Sequence, residues 1–465
     1  MQLKVSARWA RRSSGWMALV IMSGTLVCLW PAAASARSVK EAQAAFDKKQ
    51  YQEALDLIEQ IVKEKGPQPE TKRLKIRSLI HVGKPKDALT EYDQLMQGLT
   101  QDDPILLREL GIGFATVLVK DMREQMRGAA YTALKDVDSP ETIPFLEDGL
   151  SDGSGLVRAL AAEALGKLEG GWRSPRLRNA LEDQAGLVKA TVLKVLGKSG
   201  DRSVIPLLEK ALKDEQPVVR LAAAGALYHT GRTEMWETVR QAASAQNPEE
   251  RATALRLIGE LKDSRGLEIL LDAVTHTQPS VRGAAASALG DLGKVQGIPA
   301  LDRALEDKIP AVKTSAAISL GELGVKDSLV PLRKALADPN PVVKAAVVSA
   351  LLRVGEPFEA VGSELYELAQ NNDPGTRSAV GKAVGRAHGV SRKAGIEFLA
   401  GMLKDPIPRP RIAAARALGQ IGGAEVLPIL KASLHDEDDA VRATAGGAIA
   451  RVIGHTKLSA NPAKS

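Results

Sequence analysis

The chain is nearly without cysteine: Cys28 is the sole thiol in 465 residues. Residues 37–465 therefore have no disulfide, no thiolate metal site and no cysteine nucleophile. Aromatics make up only 3%, which weighs against single-stranded nucleic acid held by base stacking. The six histidines (His81, His229, His276, His388, His435, His455) are scattered, with no His-x-x-His, His-x-x-x-His or His-Glu pair. No metal-ligand constellation is expected from them. There is no dinucleotide fingerprint, P-loop or Gly-x-Ser-x-Gly elbow. Gly111-Ile112-Gly113 falls inside helical periodicity and would make a poor phosphate loop. His435-Asp436-Glu437-Asp438-Asp439 lacks EF-hand spacing and reads as a solvated cap. Strand-type alternation is missing throughout, so an all-α protein with no cofactor and no catalytic constellation is expected.

The first 36 residues read as an address. Lys4, Arg8, Arg11 and Arg12 form a positive start, Gly15 to Trp30 an apolar core, and Ala34-Ser35-Ala36 a small-residue cleavage pattern. This predicts a secretory signal peptide cut after Ala36 and a periplasmic or secreted protein with no membrane insertion after cleavage. The alternative is a retained anchor, although the core is shorter than the ~20 residues of a spanning helix. Removing four basic residues lowers the formal net charge from +7 to +3 (7 − 4). The case for nucleic acid weakens accordingly.

What the chain has in abundance is a repeat. A basic residue recurs at Arg127, Arg158, Lys189, Arg220, Arg251, Arg282, Lys313, Lys344, Arg377, Arg411 and Arg442. Eight of the ten intervals are 31 residues and the others are 33 and 34. A fixed period of that size specifies stacked supersecondary units rather than one globular core. Six residues before this anchor stands Asp121, Asp152, Asp183, Asp214, Asp307, Asp338, Asp405 or Asp436. Three before it stands Pro217, Pro248, Pro279, Pro310, Pro341, Pro374 or Pro408, suited to a first helical turn. Asn247, Asn340 and Asp373 directly precede prolines and are placed as N-caps. Eight residues after it comes Gly166, Gly197, Gly259, Gly290, Gly321, Gly385 or Gly419, suited to close helix contact or helix termination. Each unit is helix, short turn, helix, with amphipathic second helices such as Ile205 to Asp214.

The series Asp-x-x-Pro-x-Val-Arg-x-x-Ala-Ala-x-Ala-Leu-Gly, fullest from Asp307 to Gly321 with Lys313 in place of arginine, resembles HEAT repeats of the phycobilisome-lyase type. The resemblance implies an all-α fold: an α-solenoid, a right-handed superhelix of helical hairpins with about eleven repeats and an Asp–Arg ladder linking them. Exposed pairs would contribute only about 0–1 kcal/mol each. Stacked roughly 8–10 Å apart, eleven units would make a curved rod on the order of 100 Å long.

Near the N-terminus, Lys49-Gln50-Tyr51-Gln52-Glu53-Ala54-Leu55 is answered by Gly83 to Leu89. This resembles the tetratricopeptide repeat, which implies a peptide groove; a plain helical cap for the solenoid is the alternative. The expected organisation is a signal peptide over 1–36, tetratricopeptide-like repeats over 37–104, a helical junction over 105–125, a HEAT-like solenoid over 126–456 and a disordered tail over 457–465.

Two exposed positions of the second helices carry Arg178, Lys210, Arg240, Arg303, Arg333, Lys334 and Lys431 against Glu147, Asp148, Glu209, Asp272, Asp302 and Glu367. That face is balanced, where a nucleic-acid groove would be of one sign. Arg178, Lys210, Arg240, Arg303, Arg333 and Lys334, with Trp172 in its Gly-Gly-Trp-Arg turn, are the candidate partner-binding residues. Trp236 falls on a buried register. The expected function is an exported scaffold that binds partner proteins or peptides through its concave surface and catalyses nothing itself. A lyase- or oxidoreductase-like activity of the kind found in related repeat families, or a purely structural envelope spacer, are the alternatives. The iron-binding His-Glu pairs of the deoxyhypusine hydroxylases have no counterpart here.

Overall fold

The structure, a computed structural model, describes residues 38–385 and 392–459. The expected leader and His388 lie outside them. Among the described residues there are 26 α-helices and no strand.

Four helices open the chain: α1 (Val39–Asp47), α2 (Tyr51–Lys65), α3 (Pro69–His81) and α4 (Pro85–Met96). Ala54 and Ala88 are wholly buried where the hairpins cross, and Ile58, Ile61, Leu79 and Tyr92 are buried beside them. Next come α5 (Pro104–Thr116) and α6 (Glu124–Val137). The junction expected over 105–125 is thus a full helix, α5, followed by a short 3-10 turn.

From α6 onward every anchor residue lies on a helix of eleven to twenty-one residues. These anchor helices are α6 itself, Gly155–Lys167, Gly186–Lys198, Pro217–His229, Pro248–Leu261, Pro279–Leu292, Pro310–Leu323, Pro341–Val354, Pro374–Val384, Pro408–Ile421 and Asp439–Ser459. The seven prolines occupy the first helical position, where no N–H is needed. Asn247, Asn340 and Asp373 cap as expected, each accepting two backbone N–H bonds. The late glycines mark close contact, and among them Gly385 also caps the end of its helix. A Cβ on Gly197 would lie 2.5 Å from the Cα of Ala226. Elsewhere termination falls to a second set in the left-handed conformation, Gly293, Gly324 and Gly355.

Each anchor helix packs along the next, whereas successive second helices such as Ile143–Gly149 and Pro175–Asn179 hardly meet. The close-packed layer is therefore the inside of the curve. It does not stop at its ends: the final helix, Asp439–Ser459, packs against both α5 and α6. One buried cluster joins Leu106, Leu110 and Phe114 to Ala445, Ala448, Ile449, Val452 and Ile453. A second joins Ala133 and Leu134 to Ala443.

The expected open rod is thus a closed ring. The repeat count gave contour length, but length alone leaves curvature open. Small residues at nearly every interface let anchor helices approach closely while the second helices splay, so each unit turns. Eleven turns of roughly 33° bring the ends together. At a spacing of ~8–10 Å the inner helix axes describe a circle about 30 Å across. Subtracting ~10 Å of helix width leaves a lumen of about 20 Å. The final helix runs through Ser459, so the first residues of the expected tail are helical; residues 460–465 lie outside the described set.

Candidate functional site: ladder, seam and inner face

The ladder is built from the anchor side chain. The Arg158 Nε and a terminal nitrogen donate to the two carboxylate oxygens of Asp183 at 2.6 and 2.8 Å. Its other terminal nitrogen donates to the Asp152 carbonyl at 2.8 Å. Each aspartate thus takes the arginine of the preceding unit, while its backbone takes its own. Arg127–Asp152, Arg282–Asp307 and Arg377–Asp405 repeat the two-pronged bond. Lys189–Asp214, Lys313–Asp338 and Arg411–Asp436 make single bonds. Side-chain exposure is only 17% and 10% for Arg158 and Asp183, and 11% and 9% for Arg377 and Asp405. The expectation of exposed, weak pairs is corrected: these are mostly buried and forked, which makes losing one partner costly. The Arg158 bond holds the Asp183 carboxyl below its ordinary value, as Arg282 does for Asp307.

Three rungs between successive units lack the aspartate: Lys344 has Asn371 in that column and bonds Glu367 instead at 3.3 Å, and the other two are defective. Arg220 has Ala245 where the next carboxylate should stand, and bonds only the Asp214 and Glu215 carbonyls. Arg251 reaches the Nε2 of His276 at 2.6 Å, yet the His276 Nδ1 accepts the Gln278 N–H at 3.0 Å. A neutral imidazole has one acceptor nitrogen, so it cannot satisfy both donors.

Near this break Pro217–His229 recedes, and Lys194 bonds Glu260 at 2.7 Å across it, joining helices two units apart. The same registers meet at the other end of the ring. Arg416 bonds Asp136 at 2.8 Å across the final helix. In both bridges the cation stands five residues after its anchor and the acid nine after its own. The closing contact therefore repeats the geometry of the interior.

At the seam itself, a Cβ on Gly111 would lie 2.5 Å from the Gly446 carbonyl oxygen, and one on Gly447 2.8 Å from that of Ala133. Adjacent glycines let the final helix touch α5 and α6 at once. Ion pairs of both senses cross around them, with Asp439 of the final helix taking Lys86 at 3.8 Å and Arg123 at 3.5 Å. Lys431 bonds Asp102 at 2.6 Å, and His435, when protonated, pairs with Asp93 at 3.1 Å. Arg108 donates to the Ala450 carbonyl at 3.2 Å. The Tyr92 hydroxyl donates to Asp102 at 3.0 Å, under the Lys431 ammonium. Burial and then the Asp102 charge push the Tyr92 phenol well above its usual range. The ladder does not continue across the seam: Arg442, buried, bonds Asp439 and the Asp436 carbonyl, while Asp121 bonds Arg123.

The inner face consists of the positions two before and one, two, five and nine after each anchor, and these line two neighbouring grooves. The column five after the anchor carries Lys194, Arg256, Lys382 and Arg416 against Glu163, so this face, unlike the outer one, leans positive. Leu156, Leu187 and Val218, all at the position two before, are exposed in three consecutive units.

The candidate residues named from sequence lie in the outer layer and do not converge. Lys210 bonds Glu182 at 2.8 Å, Lys334 bonds Glu306 at 2.5 Å, Arg333 bonds Glu356 at 2.8 Å and Arg240 bonds Glu237 at 2.5 Å. Arg178 approaches Asp201 at 3.6 Å, and Arg303 is exposed. The first three pairs tie neighbouring repeats together. Trp172 is half-buried with the Arg173 guanidinium 4.8 Å above its ring. Trp236 is buried, as its register predicted. Among the described residues no three His, Cys, Asp or Glu side chains converge on a metal-sized site, and no helix is long and apolar enough to cross a membrane.

A family profile described as HEAT repeats matches residues 113–185, 174–239, 236–319, 300–385 and 362–450. The chain belongs to the HEAT-repeat family. No curated protein matches it. Solved structures similar to this HEAT-repeat chain include human deoxyhypusine hydroxylase in complex with glycerol, at 20% identity and a TM-score of 0.30, over 54% of this chain and 97% of that one. The complex of CpcE and CpcF of phycocyanin lyase from Nostoc sp. matches at 21% and 0.36, over 45% and 85%. A mutant of Kap121p matches at 15% and 0.36, over 91% and 56%. Similarities of this size say nothing about chemistry.

Proposed function

We propose that this HEAT-repeat protein is an exported scaffold that binds partner proteins through the inner face of its ring and performs no catalysis of its own. The observation that carries the reading is the division of labour within each unit. The Asp, Pro, basic, Ala and Gly positions are taken up by ladder bonds, helix starts and interhelical contact. The positions left free to vary in chemistry, including the exposed Leu156, Leu187 and Val218, lie on the inner layer. The signal-peptide pattern supports export.

The test is site-specific photocrosslinking in the exporting cell, with the probe at Ser287 on the inner face or at Arg333 on the outer. N-terminal sequencing of the mature protein comes first. Cleavage after Ala36 and protein crosslinks from Ser287 alone are expected. Crosslinks from Arg333 alone, or from neither site, would remove the basis for the reading.

A further inference from the structure

The two inner-face grooves lie side by side and share one residue. The first sits over Pro217–His229, between Gly186–Lys198 and Pro248–Leu261, with a volume of about 220 Å³. Val218, Leu221, Ala222 and Leu257 give it an apolar lining, and Lys194–Glu260 bridges its walls at 2.7 Å. The second sits over Pro279–Leu292, about 290 Å³, with Ala284, Ala311 and Val312 in its lining. Arg256 lines both. It is exposed and forms no ion pair among the described residues. Glu260 is the sole carboxylate lining either groove, and Lys194 occupies it. The next acids on the same helix, Glu249 and Glu250, stand about two turns away. No Phe, Tyr or Trp lines either groove, and His229 is the one ring in the first.

A guanidinium without a counter-charge, standing on the wall between two apolar grooves, fits a carboxylate flanked by apolar groups. Charge-assisted, forked bonds to carboxylate are the strongest this side chain makes. We propose that this face binds an extended segment of a partner protein in which an aspartate or glutamate sits between two apolar side chains. The proposal rests on the scaffold reading and specifies its site and ligand class. Neighbouring anchor helices are ~8–10 Å apart and an extended chain rises ~3.3 Å per residue. The apolar residues therefore stand two to four positions from the acid on either side. Base stacking, the usual means of holding a nucleic-acid strand, would have only the His229 ring of the first groove.

The experiment pans a random peptide display library on the purified mature chain, then measures enriched peptides by fluorescence anisotropy. The expected consensus has Asp or Glu between apolar residues. Arg256→Glu is expected to weaken binding about tenfold or more, and Arg256→Lys to weaken it less. Gly283→Leu is the second variant. A Cβ there meets nothing closer than 3.9 Å, so the side chain fills the second groove with the melting temperature unchanged and binding lost. The proposal is overturned if the enriched peptides lack an acidic position, if Arg256→Glu binds them as well as wild type, or if a labelled single-stranded oligonucleotide displaces them. Crosslinking from Ser287 that persists in Arg256→Glu would sink this proposal alone. Loss of all inner-face crosslinking would sink the scaffold reading itself.

Discussion

Leucine in place of Gly446 is expected to open the ring without unfolding its units. A Cβ on Gly446 would overlap the carbonyl oxygen of Gly111, and the reciprocal Cβ on Gly111 would lie 2.5 Å from that of Gly446. Ordinary contact needs at least ~3.4 Å, so even one methyl forces α5 and the final helix about 1 Å apart, and an isobutyl group forces more. Separation uncovers Leu106, Leu110 and Phe114 on one side and Ile449, Val452 and Ile453 on the other, all buried. Full exposure costs ~1.5–3 kcal/mol for each large side chain. Because each keeps contacts within its own unit, roughly half of that is lost, about 5–10 kcal/mol in all. Interfaces elsewhere are untouched, since a repeat protein is held by nearest-neighbour terms.

The assay is resonance energy transfer between dyes on Asp102→Cys and Lys431→Cys, whose native side chains bond at 2.6 Å. With Cys28 the sole cysteine of the chain, a protein begun at Arg37 carries no competing thiol. Wild-type background should give near-complete transfer. Gly446→Leu should lose it as the ends move up to ~100 Å apart along the contour, with helical circular dichroism retained and Gly446→Ala intermediate. Low transfer in the wild-type background would refute closure. Unchanged transfer in Gly446→Leu would refute the tight seam.

Arg158→Ala leaves Asp183 buried without its forked partner and is expected to cost about 3–5 kcal/mol in urea unfolding, far more than a surface pair. His276→Asp restores a carboxylate beneath Arg251 and should stabilise by about 1–2 kcal/mol, read as a rise in melting temperature; no rise would mean the His276 rung is already satisfied. Burial holds His81 and His229 below the ordinary histidine value of 6.5. The unfolded chain then takes up protons first as pH falls. Stability should drop as pH falls through 6.5, and less steeply in His229→Gln. The ladder carboxyls act lower down. Asp183 and Asp307 are depressed below 3.8, so their contribution is present above that pH and disappears as acid protonates them.

Nearly every element of the unit was legible because each is local. Proline at the first turn, Asn247 or Asp373 as a cap, and alanines flanking the anchor follow from helix physics alone, and a period of 31 residues sets the stacking. Closure was not legible because it depends on a small rotation summed over eleven interfaces, which no single unit encodes. Its trace is present nonetheless. Gly446-Gly447 is the one adjacent glycine pair in any anchor helix, at a cost of ~0.5–1 kcal/mol each relative to alanine, and Gly111 and Gly113 stand two apart in α5. Two close contacts on one helix, near both chain ends, are what a seam requires. Counting charge at two positions of the second helices gave a balanced surface but missed the pairing, because Lys210 and Lys334 bond Glu182 and Glu306, which lie outside those positions. The asymmetry lies on the inner layer, which the sequence alone does not distinguish from the outer.

Closure also restricts what can reach that inner layer. An open arc of repeats can cup a folded domain. A 100-residue domain has a radius of gyration of about 13 Å, so it is wider than a lumen of about 20 Å. An extended chain or a single helix of ~10 Å passes. Opening the seam to admit more would cost the same 5–10 kcal/mol estimated for Gly446→Leu. At 1.4 kcal/mol per decade, fewer than about one molecule in a thousand is open at any time. Partners that bind inside must then offer a segment rather than a surface. If Gly446→Leu opens the ring, it should gain capture of folded domains at Ser287 while peptide affinity stays close to wild type. A closed ring that already crosslinks to a domain with no free segment would contradict the estimate of the lumen.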